Sequence, residues 1–147
     1  MIRLRAETEV DGPADRVWEV LGDYRCDPRW RAGVATMDPS PAGPAEPGQT
    51  TDERMRFAGR AYRNGGRVES VGPGRTLSWR TTSGIVADGR RTVEELPGGR
   101  SRVRLETDVR PEGADRLLAP LLGVLLRRQL VGDLRRLRAL AERTAAG

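Results

Sequence analysis

Histidine and lysine are both absent from this chain of 147 residues. Without histidine, the Ser-His-Asp and Cys-His arrangements of nucleophilic catalysis are excluded, and the commonest metal ligand is missing. The single cysteine, Cys26, excludes an internal disulfide and leaves too few ligands for a zinc site, so we expect no metal. Neither a glycine-rich dinucleotide motif nor a Walker loop occurs, and we therefore expect no cofactor.

Long apolar runs are missing as well. No stretch of about 18 apolar residues occurs, so we expect no membrane span. The first ten residues lack the apolar segment of a secretory signal. Together with a single cysteine, which suits a reducing compartment, these features predict a cytoplasmic protein.

The charge pattern bears on possible partners. All 26 basic residues are arginine, and with 21 acidic residues they give a formal net charge of +5. The arginines are spread along the chain and interleaved with acids, so we expect no nucleic-acid partner. The length suits one domain over residues 1–147, as a monomer or a homodimer.

Alternating apolar and polar positions predict seven strands. The first covers residues 2–10, and a helix over 13–23 and a short helix over Asp27–Trp30 follow it. The other strands are predicted at 34–38, 51–57, 60–71, 75–82, 85–96 and 101–109, with Gly and Pro marking the turns.

After Pro111 the apolar spacing changes to three and four residues, which predicts a long helix that begins at Pro120. Its apolar stripe consists of Leu122, Leu126, Leu130, Leu134, Leu137 and Ala141. An antiparallel sheet cannot bury its inner face alone, and this helix is its only large apolar partner. We therefore expect an α+β fold in which the sheet curls around the C-terminal helix and leaves a ligand cavity between them.

Several segments resemble a known superfamily. Residues 10–23 (VDGPADRVWEVLGD) and 27–30 (DPRW) resemble the start of the START/Bet v 1-like (SRPBCC) proteins, in particular the polyketide cyclase/dehydrase branch. The turn that ends in Trp79, the Gly98-Gly99 turn and the ending from Gly132 to Glu142 agree. The resemblance covers nearly the whole chain and implies a helix-grip fold with a hydrophobic cavity. Members of such families include aromatase/cyclases, lipid and hormone binders, self-resistance proteins and chaperone partners.

The resemblance also directs attention to arginines on the fourth strand. Some related cyclases are described as using an arginine on a cavity strand to polarise a substrate carbonyl. Arg63 and Arg67 lie on the matching strand, but both have the opposite parity from Tyr62. A bend at 65–66 (Gly-Gly) could turn one of them inward.

Three side chains are candidates for acid, base or electrophilic catalysis. Glu53 shares a strand face with Met55 and Phe57, and burial there would raise the pKa of its carboxyl toward that of a useful base. Tyr62 is expected on an inward face, where its phenol could donate to a ligand carbonyl. Arg91 is expected to point inward and to need a partner such as Glu53 or a ligand anion. For each residue there is an alternative without a function. Glu53 could be a solvated residue at the rim, Tyr62 could be a core residue, and a register slip could place Arg91 outside.

Further side chains are candidates for ligand contact, with plain core packing as the alternative. Trp30 and Trp79 could stack on a planar ligand, Asn64 and Thr107 could orient it, and Gly123 could leave room for it. The full set is Trp30, Met55, Phe57, Asn64, Trp79, Thr107, Gly123, Leu126 and Leu130. Asp133 is either a buried acid or the partner of Arg136 or Gln129 on the same helix.

Three functions remain open on these grounds. The first is a cofactor-independent cyclase or dehydratase of polyketide-like intermediates in secondary metabolism, which folds a flexible substrate inside its cavity. The second is a non-catalytic carrier, or a self-resistance protein that sequesters a hydrophobic metabolite. The third is an interaction module whose arginine-rich helix face contacts an acidic partner, and it predicts a collapsed cavity.

Overall fold

The computed structural model describes residues 1–147 as one sheet with helices on its concave side. The strands are β1 (Ile2–Val10), β2 (Val34–Ser40), β3 (Thr50–Phe57), β4 (Arg60–Val71), β5 (Thr76–Ser83), β6 (Ala87–Leu96) and β7 (Arg100–Val109). The α-helices are α1 (Ala14–Leu21), α2 (Asp27–Trp30) and α3 (Ala119–Ala146), and short 3₁₀ helices cover Tyr24–Cys26 and Gly113–Arg116.

All seven strands pair antiparallel, in the spatial order β1-β7-β6-β5-β4-β3-β2. Each consecutive pair from β2 to β7 is a hairpin, and β1 closes the order by pairing with β7. Along β1 the buried residues alternate with exposed ones, as for Ile2 and Leu4 beside Arg3 and Arg5. One face of the sheet is therefore apolar and needs a cover.

Helix α3 supplies that cover with two different halves. In its C-terminal half Leu134, Leu137, Leu140 and Ala141 are buried in a core shared with α1, β1, β6 and β7. In its N-terminal half the inward leucines are only half-buried. The seven-stranded sheet curled around a long C-terminal helix, with short helices after β1, confirms the predicted helix-grip, Bet v 1-like fold.

The boundaries differ from the sequence prediction at a few places. Helix α1 ends at Leu21, because Gly22 forms its C-cap. Strand β6 begins at Ala87 rather than at residue 85, since Gly84 adopts a φ of 79° and turns the chain there. Strand β2 continues to Ser40. None of the helices combines the length and the apolar character needed to cross a membrane.

Candidate ligand-binding cavity

A cavity of about 360 Å³ lies between the concave face of the sheet and the N-terminal half of α3. Its wall consists of 38 residues, of which 18 are hydrophobic, and α3 contributes Leu122, Leu126 and Leu130. The volume is within the range of small-molecule sites. The cavity is open, whereas the interaction-module hypothesis predicted a collapsed one.

The predicted parity of the strands places most candidate residues on this wall. Strand β3 brings Glu53, Met55 and Phe57 to the cavity, because residues two apart share a face. The other predicted residues on the wall are Trp30, Tyr62, Asn64, Trp79, Arg91, Thr107, Leu126 and Leu130.

Gly123 is the exception. It is buried, but it is not part of the cavity wall. A Cβ at this position would lie 3.7 Å from Cγ2 of Ile2 on β1. The small residue therefore lets α3 approach β1, and the contact of Gly123 with a ligand stays a prediction.

Arg91 points inward as predicted, but its partner is Asp27 of α2 rather than Glu53. Its Nη1 donates to Asp27 Oδ1 at 3.0 Å, and its Nη2 donates to Asp27 Oδ2 at 2.6 Å. Nη1 also donates to the carbonyl oxygen of Leu21 at 3.1 Å. Burial lowers the pKa of Arg91, but the Asp27 charge and hydrogen bonds outweigh it, so that the pKa is raised. Arg91 thus stays charged and fixes α2 on the sheet.

The guanidinium of Arg91 also lies close to two aromatic rings. Its Cζ is 4.4 Å from the ring centre of Tyr24 and 5.2 Å from that of Trp30. Both distances suit a cation–π contact, which is strongest where water is excluded. Tyr24 was not singled out from the sequence, although it is one of only two tyrosines. Burial raises the pKa of Tyr24 to about 12, although the positive charge of Arg91 acts in the opposite direction.

Arg31 connects this pair to Glu53. Its Nη1 donates to Asp27 Oδ2 at 3.1 Å, and its Nη2 lies 2.8 Å from Glu53 Oε1. The second contact is an ion pair without the alignment of a hydrogen bond, and Glu53 Oε1 has no hydrogen-bond donor. We call Arg91, Asp27, Arg31 and Glu53 the ion-pair network. The four-residue spacing of Asp27 and Arg31 is the signal in the sequence that could have identified Arg31.

Asp133 of α3 lies on the wall next to this network. It is buried, accepts a hydrogen bond from the backbone N–H of Ala32 at 3.2 Å, and pairs with Arg136. The two alternatives predicted for Asp133 are therefore both observed, because it is a buried acid and also the partner of Arg136. Burial raises the pKa of Asp133, and the hydrogen bonds from Arg136 and Ala32 only partly offset the effect.

Two buried donors on the wall have no partner at all. They are the hydroxyl of Tyr24 and the indole Nε1 of Trp30. A buried polar group without a partner is costly, since folding removes its hydrogen bonds to water. Both groups lie on residues that flank Arg91, so this end of the cavity combines unsatisfied donors with paired charges.

Two further candidate residues, Tyr62 and Asn64, lie on the neighbouring strand β4. Tyr62 lies on the wall under Arg60, whose Cζ is 5.5 Å from the ring centre, and Arg60 pairs with Asp115 ahead of α3. Asn64 is buried and engaged, with its Nδ2 3.2 Å from Met55 Sδ and its Oδ1 accepting from the Ile85 N–H at 2.9 Å.

The bend in β4 exists, and it bears on the two arginines of this strand. The register with β5 shifts between Gly65 and Gly66. Arg63 stays on the outer face, where it pairs with Asp52 at 2.8 Å. Arg67 borders the cavity although its side chain is exposed. Asn64 and Val68, on either side of the bend, are both buried, so the bend does not reverse the parity of the strand and Arg67 reaches the cavity only at its border.

The residues of the wall offer no obvious metal site. No group of three or more His, Cys, Asp and Glu side chains lies together. Cys26 is a free, half-buried thiol, and burial raises its pKa. A raised pKa makes a cysteine a poorer nucleophile and metal ligand at neutral pH.

Fold and cavity together define a helix-grip protein with an internal, largely apolar site. The family described as "Polyketide cyclase / dehydrase and lipid transport" matches residues 1–142, and the chain belongs to this family. No curated protein matches the chain in sequence.

Solved structures share the fold at low sequence identity. The Zhui aromatase/cyclase from Streptomyces sp. R1128 is 21% identical, with 99% of this chain and 97% of that chain covered and a TM-score of 0.81. A START superfamily protein from Mycobacterium smegmatis is 13% identical, with 97% and 99% covered and a TM-score of 0.78. The di-domain ARO/CYC BexL from the BE-7585A biosynthetic pathway is 20% identical, with 95% of this chain and 46% of that chain covered and a TM-score of 0.73.

Proposed function

We propose that the protein binds a poly-ketone-like intermediate in its cavity and catalyses its cyclisation or dehydration without a cofactor. The observation that carries the proposal is the carboxylate of Glu53 on a largely apolar wall, 2.8 Å from the guanidinium of Arg31. A carboxylate and a cation side by side can accept a proton and stabilise the anion that results. The family description, which names polyketide cyclases and dehydrases, supports the same reaction class.

The reaction needs only proton transfers and the folding of the substrate. Glu53 takes a proton from a methylene group between two ketones, and Arg31 stabilises the enolate oxygen. The carbanion carbon attacks a second carbonyl of the same chain, and the new alkoxide takes the proton back from Glu53. Loss of this hydroxyl with a neighbouring proton, as water, completes the dehydration. Atoms balance, and no oxidant is required.

The remaining groups of the site position the substrate and the catalytic pair. Tyr62 donates its phenol proton to a ketone near the end of the cavity that faces the start of α3. Arg91 acts through Asp27, which it holds in place for Arg31. We therefore assign Arg91 a positioning role instead of the catalytic role that the sequence suggested.

The test compares two neighbouring carboxylates of β3. Glu53→Gln should lower the turnover of a synthetic poly-β-ketone thioester by about 100-fold or more, the usual contribution of a general base. Asp52→Asn is the matched control, because Asp52 faces outward and pairs with Arg63. Tyr62→Phe should also reduce turnover, with products identified by mass spectrometry. Full turnover in both Glu53→Gln and Tyr62→Phe would refute the catalytic assignment.

A carrier or sequestering protein is the second candidate function. It is favoured by the pairing of both cations of the network, since Arg31 and Arg91 already face Asp27 and Glu53. A carrier would bind a hydrophobic metabolite tightly and release it unchanged. Mass spectrometry of the ligand recovered from purified protein, before and after long incubation, separates the two functions.

A further inference from the structure

The outer face of the N-terminal half of α3 carries large aliphatic side chains that nothing in the chain covers. Leu121 is 57% exposed, and Leu117 and Leu118, directly ahead of the helix, are 86% and 50% exposed. Val124 and Val131 continue the exposed set. Single exposed apolar residues are ordinary, but five within fifteen residues form a patch that needs an explanation.

The spacing puts this patch on one side of the helix. Leu121, Val124, Arg128 and Val131 follow one another at intervals of three, four and three residues, which is the repeat of one helical face. Leu122 and Leu126 point to the cavity from the opposite side. The N-terminal half of α3 is therefore apolar on both sides, although only the inner side has a partner within the chain.

The charge of the patch has one sign. From Arg116 to Gly132 the sequence contains no acidic residue. Arg116, Arg127 and Arg128 are exposed, and none of them forms an ion pair, whereas Asp115 just before them is paired with Arg60. Three unpaired cations thus lie in the same segment as the exposed leucines.

We propose that this leucine–arginine face (Leu117, Leu118, Leu121, Val124, Arg128 and Val131) docks on the surface of an anionic lipid bilayer. Aliphatic side chains with arginines at their margin fit the boundary between acyl chains and phosphate groups. Arginine can extend its head to a phosphate while its stem stays in apolar surroundings.

A second copy of the chain fits the face less well. A symmetric dimer would place the same surface of both copies together. Two sets of unpaired arginines would then meet in a seam that has no acid to neutralise them, and like charges there are repulsive. A bilayer of anionic lipids supplies the missing negative charge.

The leucine–arginine face lies next to the rim of the cavity. Pro111, Glu112 and Asp115, which precede the leucines, border the cavity, and so does Leu122 on the same helix. A docked protein would hold the rim of its cavity against the bilayer. A hydrophobic ligand could then pass between lipid and cavity without crossing water, whether the protein changes that ligand or only carries it.

The experiment measures co-sedimentation of the full chain with vesicles. Vesicles of phosphatidylcholine alone are compared with vesicles that also contain phosphatidylglycerol. We expect at least about tenfold tighter binding to the anionic vesicles, since each arginine near such a surface contributes about fivefold. Binding should weaken with salt, because the arginine contribution is screened.

Two double variants assign the binding to this face. Leu121→Glu with Val124→Glu, and Arg116→Glu with Arg128→Glu, should each reduce binding at least about tenfold. Arg3→Glu with Arg54→Glu is the control, because both arginines are exposed on the sheet and form no ion pair, and because replacing them changes the net charge as much as the other arginine pair does and more than the Leu121 and Val124 pair does. The thermal unfolding of each variant is recorded to confirm that it is folded.

The outcomes divide clearly. The proposal is supported if the native chain binds anionic vesicles, both face variants lose this binding and the control variant keeps it. Absence of binding, or an equal loss in the face variants and the control, would overturn it. A dimer in solution that Leu121→Glu with Val124→Glu dissociates would also overturn it, since the face would then be an interface between copies.

Discussion

Replacing Asp27 with asparagine should leave the guanidinium of Arg91 buried without its counter-charge. The side chain of Asp27 is 0% exposed and that of Arg91 is 7% exposed, and two hydrogen bonds of 3.0 and 2.6 Å join them. Removing one partner of such a buried pair costs about 3–5 kcal/mol, because the other charge stays desolvated. For a chain of this length, that loss lowers the melting temperature by about 6–20 °C.

Denaturant unfolding followed by far-UV circular dichroism measures the change. The matched control is Asp52→Asn, which breaks an ion pair whose two side chains are largely in water and should therefore cost little. Asp27→Leu combined with Arg91→Met should recover part of the lost stability, because two apolar side chains leave no charge buried. If Asp27→Asn destabilises no more than Asp52→Asn, or the double variant is no better than the single one, the pair does not have the assigned role.

Three further predictions concern other parts of the molecule. In a spectrophotometric alkaline titration one tyrosine should ionise near pH 12, and Tyr24→Phe should remove that step. The raised pKa of Asp133 means that this group stabilises the fold at low pH, and that this contribution is lost as the pH rises through its folded pKa. The unfolding free energy of Asp133→Asn relative to the native chain should therefore increase with pH across the acidic range. In denaturant unfolding, Gly89→Ala should destabilise by about 1–3 kcal/mol, because its Cβ would clash with the backbone carbonyl oxygen of Glu106 and lie 2.6 Å from the Trp79 ring. Gly132→Ala should stabilise by about 0.5–1 kcal/mol, because the residue lies within α3 and its Cβ would meet only the guanidinium of Arg136, at 3.4 Å.

The cavity wall was largely predictable because strand periodicity fixes which side chains share a face. Once Met55 and Phe57 are taken as inward, Glu53 must follow them, and the same reasoning holds for Arg91 beside Val93. The C-terminal stripe was predictable for the same kind of reason, since a repeat of three and four residues marks one side of a helix.

The partners of the charged groups were not predictable, because they depend on how α2 packs on the sheet. Asp27 and Arg91 are 64 residues apart, and no local pattern links them. The contact of Gly123 with Ile2 of β1 was not predictable for a related reason, because the rotation of α3 about its axis decides whether a residue at the edge of the stripe meets the cavity or β1. On the exposed side of α3 the arginines were recognised as a possible contact surface, but the exposed aliphatic residues were not predicted, because the inward leucines dominate the apolar pattern of the helix.

Two polar contacts hold α2 and the residues that follow it in place, and they lie where the solid core ends and the cavity begins. Asp27 joins α2 to β6 through Arg91, and the Ala32 N–H after α2 joins it to α3 through Asp133. On one side of Asp133, α3 is packed into the core from Leu134 onward, and on the other side Leu130 borders the cavity. Weakening the ion pair between Asp27 and Arg91 should therefore change the shape of the cavity next to α2 before the protein unfolds. Asp27→Asn should for this reason reduce the affinity for ligand at temperatures well below the melting temperature of the variant.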